Sequence, residues 1–199
     1  LRRFFAPSLK DDDVILDRES SHHLLRVSGI APGESVELVD GRGAHAEAVL
    51  VGADRGRARL ELIRRLPFIA ARDDRILVVS LLRAQVFDLV LRQSTELGVD
   101  RIIPLQAQRS VARTGNPERW GRILRAAMMQ SGRALLPSLD PLCEWDALSA
   151  RLPSSSDRVI LCPGGPLLHG AAGPMTLIIG PEGGWTPSEL DAAEGMGAR

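Results

Sequence analysis

The sequence predicts a two-part α/β protein: a small β-rich unit, then a mostly parallel sheet flanked by helices. Short alternating strands with a turn signal cluster before residue 64. From residue 75, continuous apolar strands alternate with helical patterns, which is typical of a sheet covered on both faces. Near the C-terminal end a strand, a glycine-dense loop and a capped helix follow one another. The predicted boundaries are residues 1–68 and 75–199.

The first unit is expected to be a small barrel of short strands. Three segments alternate apolar with polar residues, and the first ends at an Asp40-Gly41 turn signal: 35–39, 44–51 and 57–63. Ser20 and Ser21 are expected to cap a short helix that carries residues 22–27. The charged stretch 64–74 is expected to be a linker.

The second unit is expected to alternate strands with helices. Its strands are predicted at residues 76–81, 101–105, 159–162 and 176–179. One helix is predicted over residues 85–97, with Gly98 placed to end it. A second helix opens at Asn116, Pro117 and Glu118 and stops before Gly132. This order favours a mostly parallel sheet.

Composition excludes several classes of protein. The 25 basic and 25 acidic residues balance, so no global field marks a nucleic-acid binder. The two cysteines, Cys143 and Cys162, have neither metal-type nor redox spacing, which favours a reducing cytosol. The four histidines are too scattered for a metal site: His22, His23, His45 and His169. Without a membrane-length apolar run or a signal peptide, we expect a soluble cytoplasmic protein with no membrane partner.

The most informative stretch is TLIIGPEGGWTPSE, residues 176–189. A buried strand leads into a loop with three glycines, where a ligand can approach bare backbone N–H groups. Thr186 and Glu189 then form a capping box. The loop matches neither a P-loop nor a dinucleotide-binding motif, and its acid, Glu182, favours an adenosine or a sulfonium over a triphosphate. The alternative is a tight strand-to-helix turn with no ligand.

Charge is locally unbalanced in the middle of the chain. Seven arginines and one acid lie between residues 101 and 133, a local charge of +6 that would attract phosphates. Arg122 and Arg125 share a helix face, and a solvated helix face is the alternative interpretation. Gln130 and Arg133 at the end of this helix could form hydrogen bonds with a base edge. Arg2, Arg3 and Arg26 could contact phosphate groups.

Several motifs occur in one order that resembles a known family. They are Arg2-Arg3-Phe4-Phe5, His23-Leu24-Leu25-Arg26-Val27, Thr95-Glu96-Leu97-Gly98-Val99, Arg109-Ser110, Arg119-Trp120, Gln130-Ser131-Gly132-Arg133 and Ile179-Gly180-Pro181-Glu182-Gly183-Gly184. Together they resemble the bacterial 16S ribosomal RNA uridine-N3 methyltransferases, the RsmE family. The resemblance covers nearly the whole chain.

The resemblance implies a fold, an activity and a cofactor. The fold is a PUA-like β-barrel, which binds RNA, followed by a SPOUT-class α/β domain with a trefoil knot. That domain binds S-adenosyl-L-methionine in the knot and methylates N3 of a uridine in 16S rRNA of the small ribosomal subunit. Members of the family are homodimers.

The resemblance also assigns the residues of the cofactor pocket, whereas the RNA contacts are inferred from the basic and polar residues themselves. The cofactor pocket is expected at Leu161, Cys162, Pro163, Gly164, Ile179, Gly180, Pro181, Glu182, Gly183 and Gly184. RNA contacts are expected at Arg2, Arg3, Arg26, Arg109, Arg122, Arg125, Gln130 and Arg133. Glu182 is a weak candidate for the catalytic base and could equally brace the loop, so the proton acceptor stays open. No metal is expected.

Family members continue beyond the position of Arg199 with segments that close the knot, and these segments are absent from the 199 residues. The 199 residues alone are therefore expected to bind the cofactor poorly. Two other functions stay open: an RNA-binding, dimerising module without catalysis, and a SPOUT methyltransferase that acts on a different RNA.

Overall fold

The structure, a computed structural model, describes residues 1–70, 74–166 and 173–199. The chain forms two compact units, one of Leu1–Ala71 with Arg125–Leu136 and the other of Arg72–Leu124 with Pro137–Arg199. From sequence, residues 125–136 were expected in the second domain. They belong to the first unit because Met128 and Ala134 pack in a buried cluster with Val39. His169 lies outside the described residues.

The first unit contains a five-stranded sheet. Its strands are β1 (Arg3–Phe5), β2 (Asp13–Ile15), β3 (Ser35–Val39), β4 (His45–Asp54) and β5 (Arg57–Arg65). They lie in the order β1-β3-β4-β5-β2, with β1 parallel to β3 and the other pairs antiparallel. The three strands predicted from alternation are confirmed. Strands β1 and β2 were missed, since three residues show no readable period.

Strands β1 and β2 form the two ends of this sheet. Among the described residues they do not pair with each other, so the predicted closed barrel stays a proposal. The core on one face of the sheet comes from alternate positions, which include the fully buried Leu38, Leu50 and Leu60. Strand β5 extends to Arg65, so the predicted linker begins later than expected, and its residues 71–73 lie outside the described part of the chain.

The short helix of the first unit begins earlier than predicted. Helix α1 (Arg18–His22) is capped by Asp17, whose carboxylate accepts a hydrogen bond of 2.7 Å from the N–H of Ser20. The prediction that Ser20 and Ser21 cap the helix was wrong, because Ser21 lies inside the helix and is fully buried. A π-helical turn, His23–Val27, follows directly.

The second unit is built on an all-parallel sheet. Its strands are β6 (Arg75–Ser80), β7 (Arg101–Gln106), β8 (Ser138–Leu139), β9 (Cys143–Glu144), β10 (Asp157–Leu161) and β11 (Met175–Ile179). The order is β10-β11-β6-β7-β8, and β9 also pairs with β7. The predicted parallel sheet is confirmed. The two-residue strands β8 and β9 were missed for the same reason as β1.

The helices are α2 (Ala84–Leu97), α3 (Pro117–Gln130), α4 (Trp145–Leu148) and α5 (Pro187–Gly195), with a 3-10 turn at Ser149–Arg151. Gly98 ends α2 in the left-handed conformation at φ 84°, as predicted. Asn116 caps α3, since its side-chain oxygen accepts a 3.0 Å hydrogen bond from the N–H of Arg119.

The strand order defines a switch point in the sheet. From β6 the chain runs through α2 to β7 on one side, whereas β11 and β10 lie on the other side. In open parallel sheets ligands bind outside the carboxyl ends of the strands where the order reverses. That rule points to the loops that follow β6 and β11.

The end of the chain runs beside β10. Ala198 forms a parallel bridge with Arg158, and the N–H of Arg199 donates to the Arg158 carbonyl at 3.0 Å. The Arg199 guanidinium donates to the Asp157 carboxylate at 3.2 and 2.7 Å, and this hydrogen bonding lowers the pKa of that carboxyl. Residues 198–199 therefore extend the sheet by one short parallel segment.

No helix within residues 1–70, 74–166 and 173–199 combines the length and hydrophobicity that crossing a bilayer requires.

Candidate functional site at the carboxyl edge of the parallel sheet

The capping box that opens α5 is confirmed. The Thr186 hydroxyl accepts from the N–H of Glu189 at 3.3 Å, and the Glu189 carboxylate accepts from the N–H of Thr186 at 2.8 Å. Two otherwise orphaned N–H groups at the helix start are thereby satisfied. The glycine loop between β11 and α5 therefore has a fixed end.

Glu189 also anchors a second loop. Its side chain is buried, and Oε1 accepts a 2.8 Å hydrogen bond from the N–H of Gln108, in the loop that follows β7. One carboxylate thus joins the loops after β7 and β11. The sequence marked Glu189 only as a cap, because nothing in its spacing identifies a partner 81 residues away.

Trp185 joins the two predicted walls of the cofactor pocket. Its indole Nε1–H donates to the Leu161 carbonyl at 3.1 Å, which connects the glycine loop to the carboxyl end of β10. The ring is buried and packs edge-to-face on Trp145, with centroids 5.1 Å apart. Because β10 and β11 are parallel neighbours, their carboxyl ends reach the same edge of the sheet. Trp185 was not singled out from sequence.

Arg109, predicted to contact RNA, lies against the glycine loop. Its guanidinium donates to the carbonyls of Gly183 at 3.2 Å and Trp185 at 3.1 Å. Since these oxygens belong to the loop backbone, the described role of Arg109 is to hold that loop. An RNA contact by Arg109 stays a prediction.

The glycines of the loop have different reasons to be glycine. A Cβ on Gly180 would lie 2.8 Å from the Trp185 ring, and one on Gly183 would lie 3.0 Å from the Cβ of Arg109. Gly184 has φ +69° and open space around its α-carbon. Packing inside the loop, the alternative weighed from sequence, therefore accounts for Gly180 and Gly183. At Gly184, and at Gly164 with φ +77° in the neighbouring loop, no atom of the described residues lies within 4 Å of the point where a Cβ would project.

Glu182 stands at the tip of the loop. Its side chain is exposed, and Oε1 lies 3.5 Å from the N–H of Arg83, in the loop after β6. At that distance the hydrogen bond is weak. The carboxylate therefore remains available to a ligand, and both roles considered for it, base and brace, stay open.

The other residues predicted to bind the cofactor line both walls at different depths. Leu161, Pro163 and Gly164 are exposed, Cys162 and Ile179 are half-buried, and Pro181 is buried. The Pro181 carbonyl accepts from the N–H of Gly184 at 2.9 Å, which closes the loop as a tight turn. The structure brings the whole predicted set to one edge, and cofactor binding itself stays a prediction.

A cavity of about 400 Å³ lies beside the loop after β6. Phe87 and Trp120 line it, with ring centroids 4.7 Å apart and an interplanar angle of 36°. Arg119 forms an ion pair with Asp88 at its wall. Leu81, Leu82 and Ala84, on either side of Arg83 in sequence, also line the cavity.

The local positive charge of residues 101–133 is smaller in the folded protein than the count of +6 from sequence. Arg119 is paired with Asp88, and Arg101 donates twice to Asp140, at 3.0 and 2.8 Å. Both acids lie outside residues 101–133, so the +6 count omitted them. Arg122 is exposed on α3 and has no ion-pair partner among the described residues. It is the arginine of this segment best placed to attract phosphate.

In the first unit, two of the predicted RNA contacts support the fold. Arg3 forms a two-point ion pair with Glu37, at 2.8 and 2.9 Å, and donates to the Arg133 carbonyl at 3.1 Å. Arg125 lies over the ring of Phe5, with its guanidinium carbon 5.6 Å from the centroid. Their RNA contacts stay predictions.

Of the remaining first-unit candidates, Arg2, Arg26 and Gln130 are exposed, whereas Arg133 is half-buried and its RNA contact stays a prediction. Arg2 and Gln130 share a cavity of about 430 Å³, and Arg26 lies on the π-helical turn. The sequence placed Arg2 and Gln130 in separate motifs, and the fold brings them together. Within the described ranges, no group of three His, Cys, Asp or Glu side chains could hold a metal ion.

Comparison with known proteins agrees with this architecture. A family model described as an RNA methyltransferase domain matches residues 71–199. A ribosomal RNA small subunit methyltransferase E from Mycobacterium bovis is 29% identical over 217 aligned positions, which cover 98% of this chain and 81% of that protein.

Two crystal structures share the fold over the whole chain. One is a ribosomal RNA small subunit methyltransferase E from Neisseria gonorrhoeae, bound to S-adenosyl methionine. It has a TM-score of 0.87 at 26% identity and covers 100% of this chain and 87% of that one. The other is a probable rRNA-methyltransferase from Porphyromonas gingivalis, with a TM-score of 0.85, 26% identity and the same coverage.

The matched residues, 71–199, include every strand of the parallel sheet and both loops of the predicted cofactor pocket. The resemblance to the RsmE family is thereby confirmed, and the chain belongs to the family defined by the RNA methyltransferase domain.

Proposed function

We propose that this protein transfers a methyl group from S-adenosyl-L-methionine to N3 of a uridine in 16S rRNA of the small ribosomal subunit. The observation that carries the proposal is the cluster of loops at one edge of the parallel sheet. Trp185, Glu189 and Arg109 join the carboxyl end of β10 and the loops after β11 and β7. No atom of the described residues lies within 4 Å of the point where a Cβ would project from Gly164 or Gly184, which leaves space for a ligand there.

The open backbone fits the proposed cofactor. A nucleoside lying on this edge would meet unobstructed backbone at Gly164 and Gly184, where a Cβ would project into free space. The exposed carboxylate of Glu182 would favour a positively charged group. S-adenosyl-L-methionine supplies a methyl group on a cationic sulfonium. The relatives named above support this ligand, because one of them is described with S-adenosyl methionine bound.

The main task of the protein in such a transfer is positioning, because the reaction is an in-line displacement. The three joined segments keep the edge of the sheet rigid. The uridine N3 proton must also leave. Glu182 could accept it, or nearby arginines could stabilise the resulting anion electrostatically. The target base must be unpaired to expose N3.

The finer features of the fold are part of the same proposal. We propose that the five-stranded sheet is a PUA-like barrel and that the second unit carries the SPOUT knot. The parallel bridge of Ala198 beside β10 supports the knot, because the chain passes the glycine loop and α5 and then returns to the far edge of the sheet.

A homodimer in the cytoplasm completes the proposal. Helix α2 exposes three large apolar side chains, Val86 at 43%, Leu89 at 43% and Leu97 at 78% exposure. Apolar side chains concentrated on one helix favour burial against a partner, and a second copy of this chain is the partner that the family resemblance implies. Sedimentation of the protein would test this, because a monomer at micromolar concentration would contradict it.

The cofactor assignment is tested by titration calorimetry with S-adenosyl-L-methionine. Saturable binding supports the enzyme, and no binding by the full-length protein would favour an RNA-binding module without catalysis. Gly184→Leu places a side chain in the open space and is expected to weaken binding about tenfold or more. Leu at Gly29, which has a similar φ of +63° in the first unit, is the matched control.

The substrate assignment needs a separate experiment. Small subunits from a strain that lacks the gene are mapped for modified uridines and then incubated with the protein and labelled cofactor. We expect N3-methyluridine to be lost in the strain and restored in the reaction. An unchanged N3-methyluridine level would instead support a methyltransferase that acts on a different RNA.

A further inference from the structure

We infer that a cavity in the first unit holds one unpaired nucleotide of the RNA, with its base stacked on His23 and its edge read by Gln130. The inference rests on the proposed function in taking RNA as the ligand. It concerns a site separate from the one where methyl transfer is proposed, since every residue that lines it belongs to the first unit.

The cavity has the size and the lining of a ligand site. Its volume, about 430 Å³, falls within the roughly 300–1,000 Å³ of small-molecule sites. Arg2, His23, Ser28 and Gln130 supply its polar lining, and Met129 belongs to its apolar part. A cation, a flat ring and an amide beside apolar surface match the parts of a nucleotide: phosphate, base face and base edge.

His23 offers a ring in a fixed orientation. The side chain is exposed, and its imidazole packs edge-to-face on Phe4, with centroids 5.5 Å apart and an interplanar angle of 61°. Phe4 is 1% exposed, so it forms a rigid support. Single-stranded RNA is typically held by stacking its bases on aromatic side chains, histidine among them.

The backbone under His23 is unusual. His23 to Val27 form a π-helical turn, and the N–H of Ser28 donates to the His23 carbonyl at 2.8 Å. Such turns are rare and occur frequently at functional sites. This one places both its first residue and the residue after its end, His23 and Ser28, on the wall of the cavity.

Arg2 provides the positive charge. Its guanidinium donates to the Ser28 carbonyl, and the side chain is exposed. A guanidinium has five N–H donors, so others remain for a phosphate. The neighbouring Arg3 differs, because Glu37 already accepts two hydrogen bonds from it. A second cavity of about 410 Å³ also includes Arg2 and Ser28, which leaves room for an adjacent nucleotide.

Gln130 is the group that can distinguish bases. It is the last residue of α3, it is exposed, and its amide both donates and accepts hydrogen bonds. Amide side chains pair with base edges that present a matching donor and acceptor. Stacking on His23 tolerates any base, so discrimination among bases is assigned to Gln130.

The test measures the affinity of the full chain for four short single-stranded RNAs, oligo(A), oligo(U), oligo(C) and oligo(G), by fluorescence anisotropy. His23→Ala is expected to weaken binding to all four by about tenfold, the size of a lost base–aromatic stack. Gln130→Ala is expected to make the four affinities more nearly equal. His22→Ala and Gln93→Ala, both at exposed positions outside the cavity, are the matched controls and are expected to change nothing.

Two outcomes would overturn the inference: unchanged affinities in His23→Ala and Gln130→Ala, or equal losses in the controls. Both target side chains are exposed, so loss of folding is not expected, and circular dichroism checks it. If the full-length protein neither binds S-adenosyl-L-methionine nor methylates small subunits but shows the Gln130-dependent base preference, only the proposed function fails. If it methylates and the variants bind RNA normally, only the nucleotide site fails.

Discussion

The loops at the carboxyl edge of the parallel sheet and the cavity of the first unit use charged and polar side chains in opposite ways. At the sheet edge, Arg109 and Glu189 bond to backbone groups of neighbouring loops, so the surface left for a ligand is mostly backbone. In the cavity, His23 and Gln130 are exposed, and the side chains form the surface. A polar motif in the sequence can therefore either build a site or contact its ligand.

Glu189 is expected to give the largest effect. Glu189→Ala removes a buried acceptor that joins two loops and caps α5, so we expect a loss of about 2–4 kcal/mol in the free energy of unfolding. Chemical denaturation measures it. Glu194→Ala, at an exposed position on the same helix, is the control and should stay within about 0.5 kcal/mol. Equal effects would mean that Glu189 does not anchor the loops.

Gly180 tests whether the loop is packed as tightly as its contacts indicate. Gly180→Ala would place a methyl group 2.8 Å from the buried Trp185 ring, and we expect a destabilisation of about 1–3 kcal/mol by thermal denaturation. Gly195→Ala, at a helical position with open space, is expected to be neutral or to stabilise by about 0.5–1 kcal/mol. A neutral Gly180→Ala would show that the loop relaxes freely.

Arg109 and Arg122 separate the two uses of arginine. Arg109→Ala loses two hydrogen bonds to the loop backbone, and we expect a destabilisation of about 1 kcal/mol together with weaker cofactor binding. Arg122→Ala is expected to leave stability unchanged and to lower RNA affinity more at low salt than at high salt. Chemical denaturation measures the stability of both variants, and fluorescence anisotropy at two salt concentrations measures their affinity for RNA. The comparison would be wrong if Arg122→Ala destabilised the fold as much as Arg109→Ala.

The two cysteines test the site without any substitution, so no change in the stability of the fold is expected, and only their alkylation rates are measured. Burial raises the pKa of the Cys143 thiol, so less thiolate is present at neutral pH and alkylation is expected to be slow. Cys162 is half-buried in the loop after β10 and should react faster. S-adenosyl-L-methionine should slow the labelling of Cys162 alone. Mass spectrometry measures both rates, and unprotected labelling at saturating cofactor would place the ligand elsewhere.

Periodicity predicted the long elements well. The apolar strands and helix α2 were placed within a few residues, because burial on both faces and a 3.6-residue repeat leave clear patterns. The capping box at Thr186 and Glu189 was found because its three-residue spacing is local. Strands of two or three residues, such as β8, were missed because so few residues carry no period.

The residue pattern alone identified the glycine loop, the capped helix and the basic and polar positions from which the two sites are built. It also determined the family, through motifs that occur in a fixed order along the chain.

Which of these residues face a ligand and which support the fold became clear from the folded chain. Arg3 and Arg2 are adjacent in sequence, yet Glu37 accepts two hydrogen bonds from the guanidinium of Arg3, whereas Arg2 is exposed in the cavity. The physical reason is that hydrogen-bond partners are selected by proximity in space. The carboxylates and carbonyls that accept hydrogen bonds from an arginine can lie tens of residues away in sequence, so a local sequence pattern does not predict them.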